Sequence, residues 1–248
     1  MDIDGIRAEI REKIWRLLEE TGEAMPPKPI RGRIPNFRGA EIAAKRLSSL
    51  EEWKKAEVIK INPDSPQRPV RVQALKEGKL LIMPTPRIKR GFLLINPSLI
   101  PKSYYSFAST IRGAFKFGKL LPTLRDIEKE IPKIDLVVEG SVAVDRNCNR
   151  LGKGEGYGDI EWGILSLLGK VDKNTPIATT VSELQIVDNI PKKPHDLPLN
   201  IIVTPKRVIR CNRCDKPFGI IPESLKKEKI NEIPLLDELI RLGYVKVR

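Results

Sequence analysis

Isoleucine or leucine recurs at positions 3, 6, 10, 14, 17 and 18, in steps of three and four, so residues 3–20 are predicted to form an amphipathic helix. Arg7 and Arg11 share a neighbouring face one turn apart, either as solvated charges or as donors to an anion. Prolines at 26, 27, 29 and 35 then forbid regular structure, and residues 25–35 are expected to cross the surface as an extended arm carrying Lys28, Arg31 and Arg33. Helical patterns return over 40–50 and 51–55. Beyond them short apolar runs predict strands at 57–61, 79–83, 92–95, 136–138, 142–144, 177–181 and 200–204, with 207–210 as a hairpin partner or a continuation of the sheet. Helices are expected at 69–77, 103–114, 157–168 and 233–242; Pro69 opens the first of these, and Gly78 and Gly243 stop the first and the last. This alternation predicts an α/β fold with a mostly parallel sheet. No internal repeat or long low-complexity tail interrupts it, and 248 residues suit one domain spanning 1–248.

Composition adds a bias in the choice of partner. The formal charge of +13 favours anions: nucleotides, polyglutamylated small molecules or nucleic acid. Abundant Lys, Arg and Glu beside three Cys and three Met also fit a heat-adapted surface rich in ion pairs. No apolar run reaches membrane-spanning length, and the start Met1-Asp2-Ile3-Asp4 is unlike a secretory signal, so a cytoplasmic protein without membrane contact is expected. His195 is the only histidine, which excludes a histidine metal cluster and leaves no Ser-His-Asp or Cys-His set. Cys211 and Cys214 have the spacing of half a zinc knuckle, but Cys148 is the only other cysteine, so one chain cannot supply four thiolates.

Candidate chemistry centres on residues 149–164, where glycines stand at 152, 154, 156 and 158. Glycines in such a row can take positive φ and bring several backbone N–H groups close to a ligand. Apolar runs precede the row and a helical pattern follows it, the arrangement in which a helix N-terminus meets a phosphate. Arg150 and Lys153 bracket the loop as cationic donors, and Asp159 falls in the first turn of the helix as an oxygen ligand for the magnesium that accompanies a polyphosphate. By spacing alone the row is a nucleotide site or a glycine-rich turn with solvated charges, since it matches neither the Walker loop nor the dinucleotide fingerprint. Two other places offer chemistry. Arg87, Lys89 and Arg90 follow the strand at 79–83 directly and form a candidate substrate wall or a solvated connector. Tyr105, Arg112, Phe115, Lys116, Phe117 and Lys119 interleave rings and cations, as a core edge or as a surface that stacks a base or pterin.

The run Arg150-Leu151-Gly152-Lys153-Gly154, continued by Gly156-Tyr157 and Asp159, resembles the signature of 5-formyltetrahydrofolate cyclo-ligases, also called methenyltetrahydrofolate synthetases. Pro194-His195-Asp196-Leu197-Pro198 leading into Asn200-Ile201-Ile202-Val203-Thr204-Pro205 is similar to that family's His-Asp element and late strand, and Arg7-Ala8-Glu9-Ile10-Arg11 to its N-terminal basic motif. Arg33-Ile34-Pro35-Asn36-Phe37, Pro84-Thr85-Pro86-Arg87 and Gly140-Ser141-Val142-Ala143-Val144 resemble most closely the divergent methenyltetrahydrofolate synthase domain-containing branch.

The resemblance implies a three-layer Rossmann-like domain of the sugar-phosphate isomerase and coenzyme A transferase type. It implies ATP-dependent conversion of 5-formyltetrahydrofolate to 5,10-methenyltetrahydrofolate, with ATP and Mg2+ as cofactors. On that reading Arg150 and Lys153 are catalytic; Arg7, Arg11, Gly152, Gly154, Gly156, Tyr157 and Gly158 bind nucleotide; Arg87, Tyr157 and His195 contact the folate-like anion; and Asp159, with Glu155, holds the metal. Four departures stand out. Arg7 takes a place where lysine is more usual, Glu155 replaces a glycine, and Gly158 replaces a tyrosine, which removes a ring from the pocket; Ile160-Glu161 also replaces an arginine often found after the aspartate. The alternatives are a paralogue that binds nucleotide but acts on a pterin- or thiamine-related substrate, and, behind it, a non-catalytic RNA-binding protein.

Overall fold

The computed structural model describes residues 2–211 and 215–246. Helix α1 (Ile3–Glu20) forms where the apolar stripe predicts it, capped by Asp2, whose carboxylate accepts from the Gly5 amide at 2.8 Å. It buries Ile14, Trp15 and Leu18 against Ile30 and Ile34 of the proline arm, which carries only the short antiparallel pair β1 (Ala24–Met25) and β2 (Asn36–Phe37). There follow α2 (Ala40–Ser48), α3 (Glu51–Lys55), β3 (Val58–Ile61), α4 (Arg68–Lys76), β4 (Leu80–Pro84) and β5 (Phe92–Ile95), close to their expected bounds.

The helix expected over 103–114 is broken in two, α5 (Tyr105–Ala108) and α6 (Ile111–Phe117). Ser109 and Thr110 turn their hydroxyls back onto the carbonyls of Ser106 and Phe107, and the Thr110 hydroxyl accepts from the Gly113 amide at 3.0 Å. A hydroxyl residue that satisfies the backbone this way ends one helix and caps the next. Two elements then appear that the apolar pattern does not predict as a pair, β6 (Lys119–Leu121) and α7 (Leu124–Glu130), the second opened by a Thr123–Asp126 capping box.

The remaining elements are β7 (Leu136–Glu139), β8 (Ala143–Asp145), β9 (Arg150–Leu151), α8 (Tyr157–Leu167), β10 (Ile177–Thr180), β11 (Ile186–Val187), β12 (Ile201–Val203), β13 (Val208–Arg210), α9 (Lys227–Glu232) and α10 (Pro234–Arg241). The main sheet has the order β13-β12-β10-β7-β3-β4-β5-β6; its five middle strands are parallel, β13 and β5 run antiparallel to them, and β6 pairs antiparallel with β5 at the edge. Of the two readings of 207–210, hairpin partner or continuation of the sheet, β13 pairs antiparallel with β12 as a hairpin at the sheet's edge. The run at 142–144 leaves the main sheet and pairs as β8 with β9 and β11.

Strand alternation sorts two cores onto opposite faces. Ile59, Ile61, Leu136 and Val138 pack with α2 and α4 through Leu47, Val70 and Leu75. Val137, Ile177 and Ile202 pack with α7, α8 and α10 through Ile127, Ile164 and Leu236. This is the three-layer α/β sandwich that the sequence implies. The second face also receives Lys60 and Glu139, whose charges lie inside the sheet and point towards α8.

The chain after β13 returns to α8. The Trp162 indole donates to the Pro217 carbonyl at 2.7 Å, and the Gly219 amide donates to the Ser166 hydroxyl at 2.9 Å. A disulfide between Cys148 and Cys211, 63 residues apart, fixes the start of this return; in the loop-entropy account such a link contributes ~4 kcal/mol. Cys214, the other half of the knuckle-like spacing, lies outside the described residues. Among the described residues no helix is long and apolar enough to cross a membrane.

A β-carbon at Gly163 would lie 2.6 Å from Ile220 and 2.8 Å from the Gly219 carbonyl oxygen. The Gly163→Ala variant should therefore lose about 1–3 kcal/mol through overpacking, more than the helix propensity it gains. Hydrogen exchange should quicken over residues 215–232 and not in β3 or β7; unchanged exchange over 215–232 would show that the segment is not seated on α8.

Candidate active site

A cleft of about 710 Å³ opens at the carboxyl ends of β3, β4 and β7, between the first turn of α8 and the inner end of α1. The carboxyl edge of a parallel sheet is where ligands bind in open α/β folds. The glycine row forms its upper rim. Only two of the four glycines use positive φ: Gly154 at +103° and Gly156 at +73°. Gly156 is the residue before α8, no side chain caps the helix there, and nothing lies within 4 Å of where its β-carbon would stand. The first-turn amides of Tyr157, Gly158 and Asp159 have no acceptor among the described residues, so the positive end of an 11-residue helix faces open space.

Gly158 serves a different purpose. A β-carbon there would meet the Glu139 carboxylate at 2.7 Å and the Arg150 guanidinium at 3.2 Å. The volume that a larger residue would claim is occupied by a carboxylate from β7. Gly152 likewise has Arg150 3.3 Å from its β-carbon position.

The cations around the rim divide into committed and available ones. Arg150 is buried; it donates to the Gly140 carbonyl at 3.0 Å and to Asp159 at 3.1 Å, and its Nε has no partner. Asp159 also accepts from the Leu197 amide at 2.9 Å through the same oxygen. Burial raises the Asp159 carboxyl above its ordinary range, against the pull of Arg150. Arg7 is engaged through both terminal nitrogens: it holds Asp196 with two parallel hydrogen bonds, at 2.5 and 2.8 Å, and donates to the Pro191 carbonyl at 3.2 Å. Arg11 spends one nitrogen on the Gly152 carbonyl at 2.8 Å and lies beside Gly154, leaving the ends of its guanidinium without an acceptor among the described residues. Burial and the neighbouring Arg7 lower its pKa. Lys153 stands 3.1 Å from Glu155, which also lies 4.0 Å from Arg87.

His195 lines the cleft with its Nε2 4.0 Å from Asp196. Tyr157 lies at the lip. Its hydroxyl donates to Glu232 at 2.7 Å, Lys229 sits 3.5 Å above its ring, and Arg87 and Lys89 meet the same Glu232 at 3.3 and 3.7 Å. Burial and the adjoining carboxylates push the Tyr157 phenol up, while the bond from Tyr157 and the surrounding cations hold Glu232 down at about 2. The candidate residues from the helix, the glycine row and the His-Asp element thus meet at one cleft, with Arg87 at its edge. The run of rings and cations at 105–119 stays outside: of α6 only Ile111 reaches the cleft, and Phe117 packs against Tyr104 and Phe107.

The floor was not foreseen from the residue pattern. Lys60, Glu139 and Glu161 form a buried triad in which Lys60 donates to Glu139 at 2.5 Å and contacts Glu161 directly, and Asn62 donates to Glu161 at 3.0 Å. Burial opposes the charge on Lys60, but its two carboxylates hold its pKa above the ordinary value; Glu161 is pushed up to about 7 chiefly by burial. The one available signal was a charge inside each apolar run, Val58-Ile59-Lys60-Ile61 and Leu136-Val137-Val138-Glu139.

The profile of the 5-formyltetrahydrofolate cyclo-ligase family matches residues 4–205, which hold α1, the glycine row and the Asp196 loop. The chain belongs to the 5-formyltetrahydrofolate cyclo-ligase family. It is 40% identical over 237 residues to the methenyltetrahydrofolate synthase domain-containing protein of Mus musculus, and 38% identical over 240 residues to that of Bos taurus, covering 93% and 94% of this chain. It spans only 62% and 61% of the length of those relatives. The solution structure of Aquifex aeolicus 5,10-methenyltetrahydrofolate synthetase superposes with a TM-score of 0.51 at 22% identity, over 86% of this chain and 96% of that one, and it agrees in fold.

The cleft suits a nucleotide of this family in the chemistry of its donors: an uncapped helix, a glycine turn open to solvent, and Arg11 and Lys153 beside it. Among the described residues no group of three His, Cys, Asp or Glu side chains is placed to hold a metal. Magnesium does not require one, since it binds through one or two carboxylates, phosphate oxygens and water. The second oxygen of Asp159 makes no hydrogen bond among the described residues and fits that mode.

Burial works against the Asp196 charge, but the Arg7 bonds and the Lys193 amide outweigh it and hold the carboxyl below its ordinary range. The pair's contribution should therefore be complete above about pH 4, and be lost as pH falls through the lowered folded value. Arg7→Ala strands a buried carboxylate and should cost about 3–5 kcal/mol at pH 7. Chemical denaturation from pH 7 to pH 3 should show the difference between wild type and variant shrinking with acid; a constant difference would mean the pair does not carry it.

Proposed function

We propose that this protein closes 5-formyltetrahydrofolate to 5,10-methenyltetrahydrofolate with consumption of ATP and release of ADP and phosphate. Family membership supports a ligase of this ATP-dependent type. The observation that carries the reading is the uncapped first turn of α8 behind Gly156, with Arg11 and Lys153 turned to the same space. ATP supplies the phosphoryl group that turns the formyl oxygen into a leaving group, and the chain needs no nucleophile of its own.

The first-turn amides of Tyr157, Gly158 and Asp159 bind phosphate oxygens, and Gly154 and Gly156 let the backbone approach them. Lys153 and Arg11 neutralise charge that spreads over the transferred group. Arg150 acts from below: buried under the loop, it fixes Asp159, and Asp159 would hold Mg2+ together with the phosphates, with Glu155 as a second contact. Arg7 orients α1 through Asp196, so that Arg11 stays on the loop. Tyr157, Arg87 and His195 border the folate-like anion.

A second reading keeps the nucleotide and changes the substrate. It is favoured by the floor, where Glu139 occupies the place beside Gly158 and adds charge to the pocket.

Mixing the protein with Mg2+, ATP and 5-formyltetrahydrofolate should produce the methenyl absorbance. Lys153→Ala should reduce its rate about 100- to 1000-fold with unchanged thermal stability. Absent absorbance beside intact ATP binding would overturn the folate assignment and favour the second reading.

A further inference from the structure

One wall of the cleft comes from outside the family-matched residues 4–205. Pro217, Ile220, Ile221, Leu225, Lys226 and Lys229 all border it. The wall is built in a fixed register. Its backbone is bonded to Trp162 and Ser166 of the helix whose first turn faces the glycine loop, and Gly163 leaves room for it. Its lip is tied by Lys229 over Tyr157 and by Glu232 to Arg87. The wall therefore stands in fixed relation to the phosphate end of the cleft.

Its chemistry differs from the rim's. Ile220, Ile221 and Leu225 are half-buried and form an aliphatic strip, and Lys226 is exposed beside it with no ionic partner among the described residues. A phosphate needs no aliphatic strip, and an uncharged ring needs no ammonium. A flat ring that continues into carboxylates uses both, the ring on the strip and the carboxylates on the cation.

We propose that residues 217–229 form a substrate-tail site for an aryl group bearing carboxylates, in the same cleft as the phosphate-binding loop. This rests on the folate reading above for its identity as a tail. The wall sets which substrates are held, and the loop and α1 set what is done to them. Because the strip and Lys226 lie on the returning segment, this recognition belongs to residues beyond the family-matched 4–205.

The test is calorimetric titration of full-length protein with p-aminobenzoyl-glutamate, which has no reactive formyl group, at low salt. Three proteins are compared: wild type, Lys226→Glu and Lys227→Glu. Lys227 is exposed, adjacent to Lys226 and not part of the cleft wall. The expected result is binding to wild type, weakened about five- to tenfold by Lys226→Glu and unchanged by Lys227→Glu, with Mg2+-ATP titrations alike in all three. Equal weakening by both reversals would mean diffuse attraction to a basic surface and would overturn the site, as would no binding to wild type. Turnover of 5-formyltetrahydrofolate is measured separately. Binding without turnover removes the ligase reading and leaves the tail site, and turnover without binding does the reverse.

Discussion

Arg7 and Asp196 stand 189 positions apart and meet as a buried, two-pronged ion pair. Much of the cleft depends on this pair. Asp196 belongs to the loop before β12, and Arg7 to the first helix of the chain, so one contact closes the ring of elements around the site. A guanidinium matches both oxygens of a carboxylate at once, which an ammonium does not. This gives a physical reason for arginine rather than lysine at position 7. A second bond, from Lys193 to Asp4, runs between the same two segments. With α1 fixed in this way, Arg11 reaches the Gly152 carbonyl and presents the rest of its guanidinium to the cleft.

The interior adds a second constraint. Five charged groups, Lys60, Glu139, Glu161, Arg150 and Asp159, lie under the glycine row in largely buried positions. Burying ions costs several kcal/mol each, and only close pairing with satisfied hydrogen bonds offsets it. Gly158 is part of that offset. From residue type alone its lack of a side chain reads as a ring removed from the pocket; in the fold it is the space in which Glu139 sits. The departure at 158 and the acid at 139 are therefore one structural feature, and they make the floor of this cleft more acidic than its rim.

The segment after β13 completes the enclosure. Trp162, Gly163 and Ser166 form a receiving face on α8, and Tyr157 meets Glu232 and Lys229 at the lip. The helix that offers its N-terminus to an anion thus also carries this wall.

What the sequence determined was local. Apolar runs such as Leu136-Val137-Val138 are strands because only a sheet buried on both faces accommodates them, and Gly156 is a turn because its φ is positive. The meeting of α1, the glycine row and the His195-Asp196 loop was legible only through resemblance to a family, since no periodicity links positions so far apart. The tertiary structure decided the break at Ser109-Thr110, where hydroxyl bonding competes with a helical pattern, and the departure of β8 from the main sheet. It also decided which cations are free. Arg7 and Arg11 look alike along the helix, and only the carboxylate that arrives from residue 196 distinguishes them. The partners of Lys60 and the course of residues 215–229 were hidden for the same reason: the desolvation and packing that fix them arise only when distant segments are brought together.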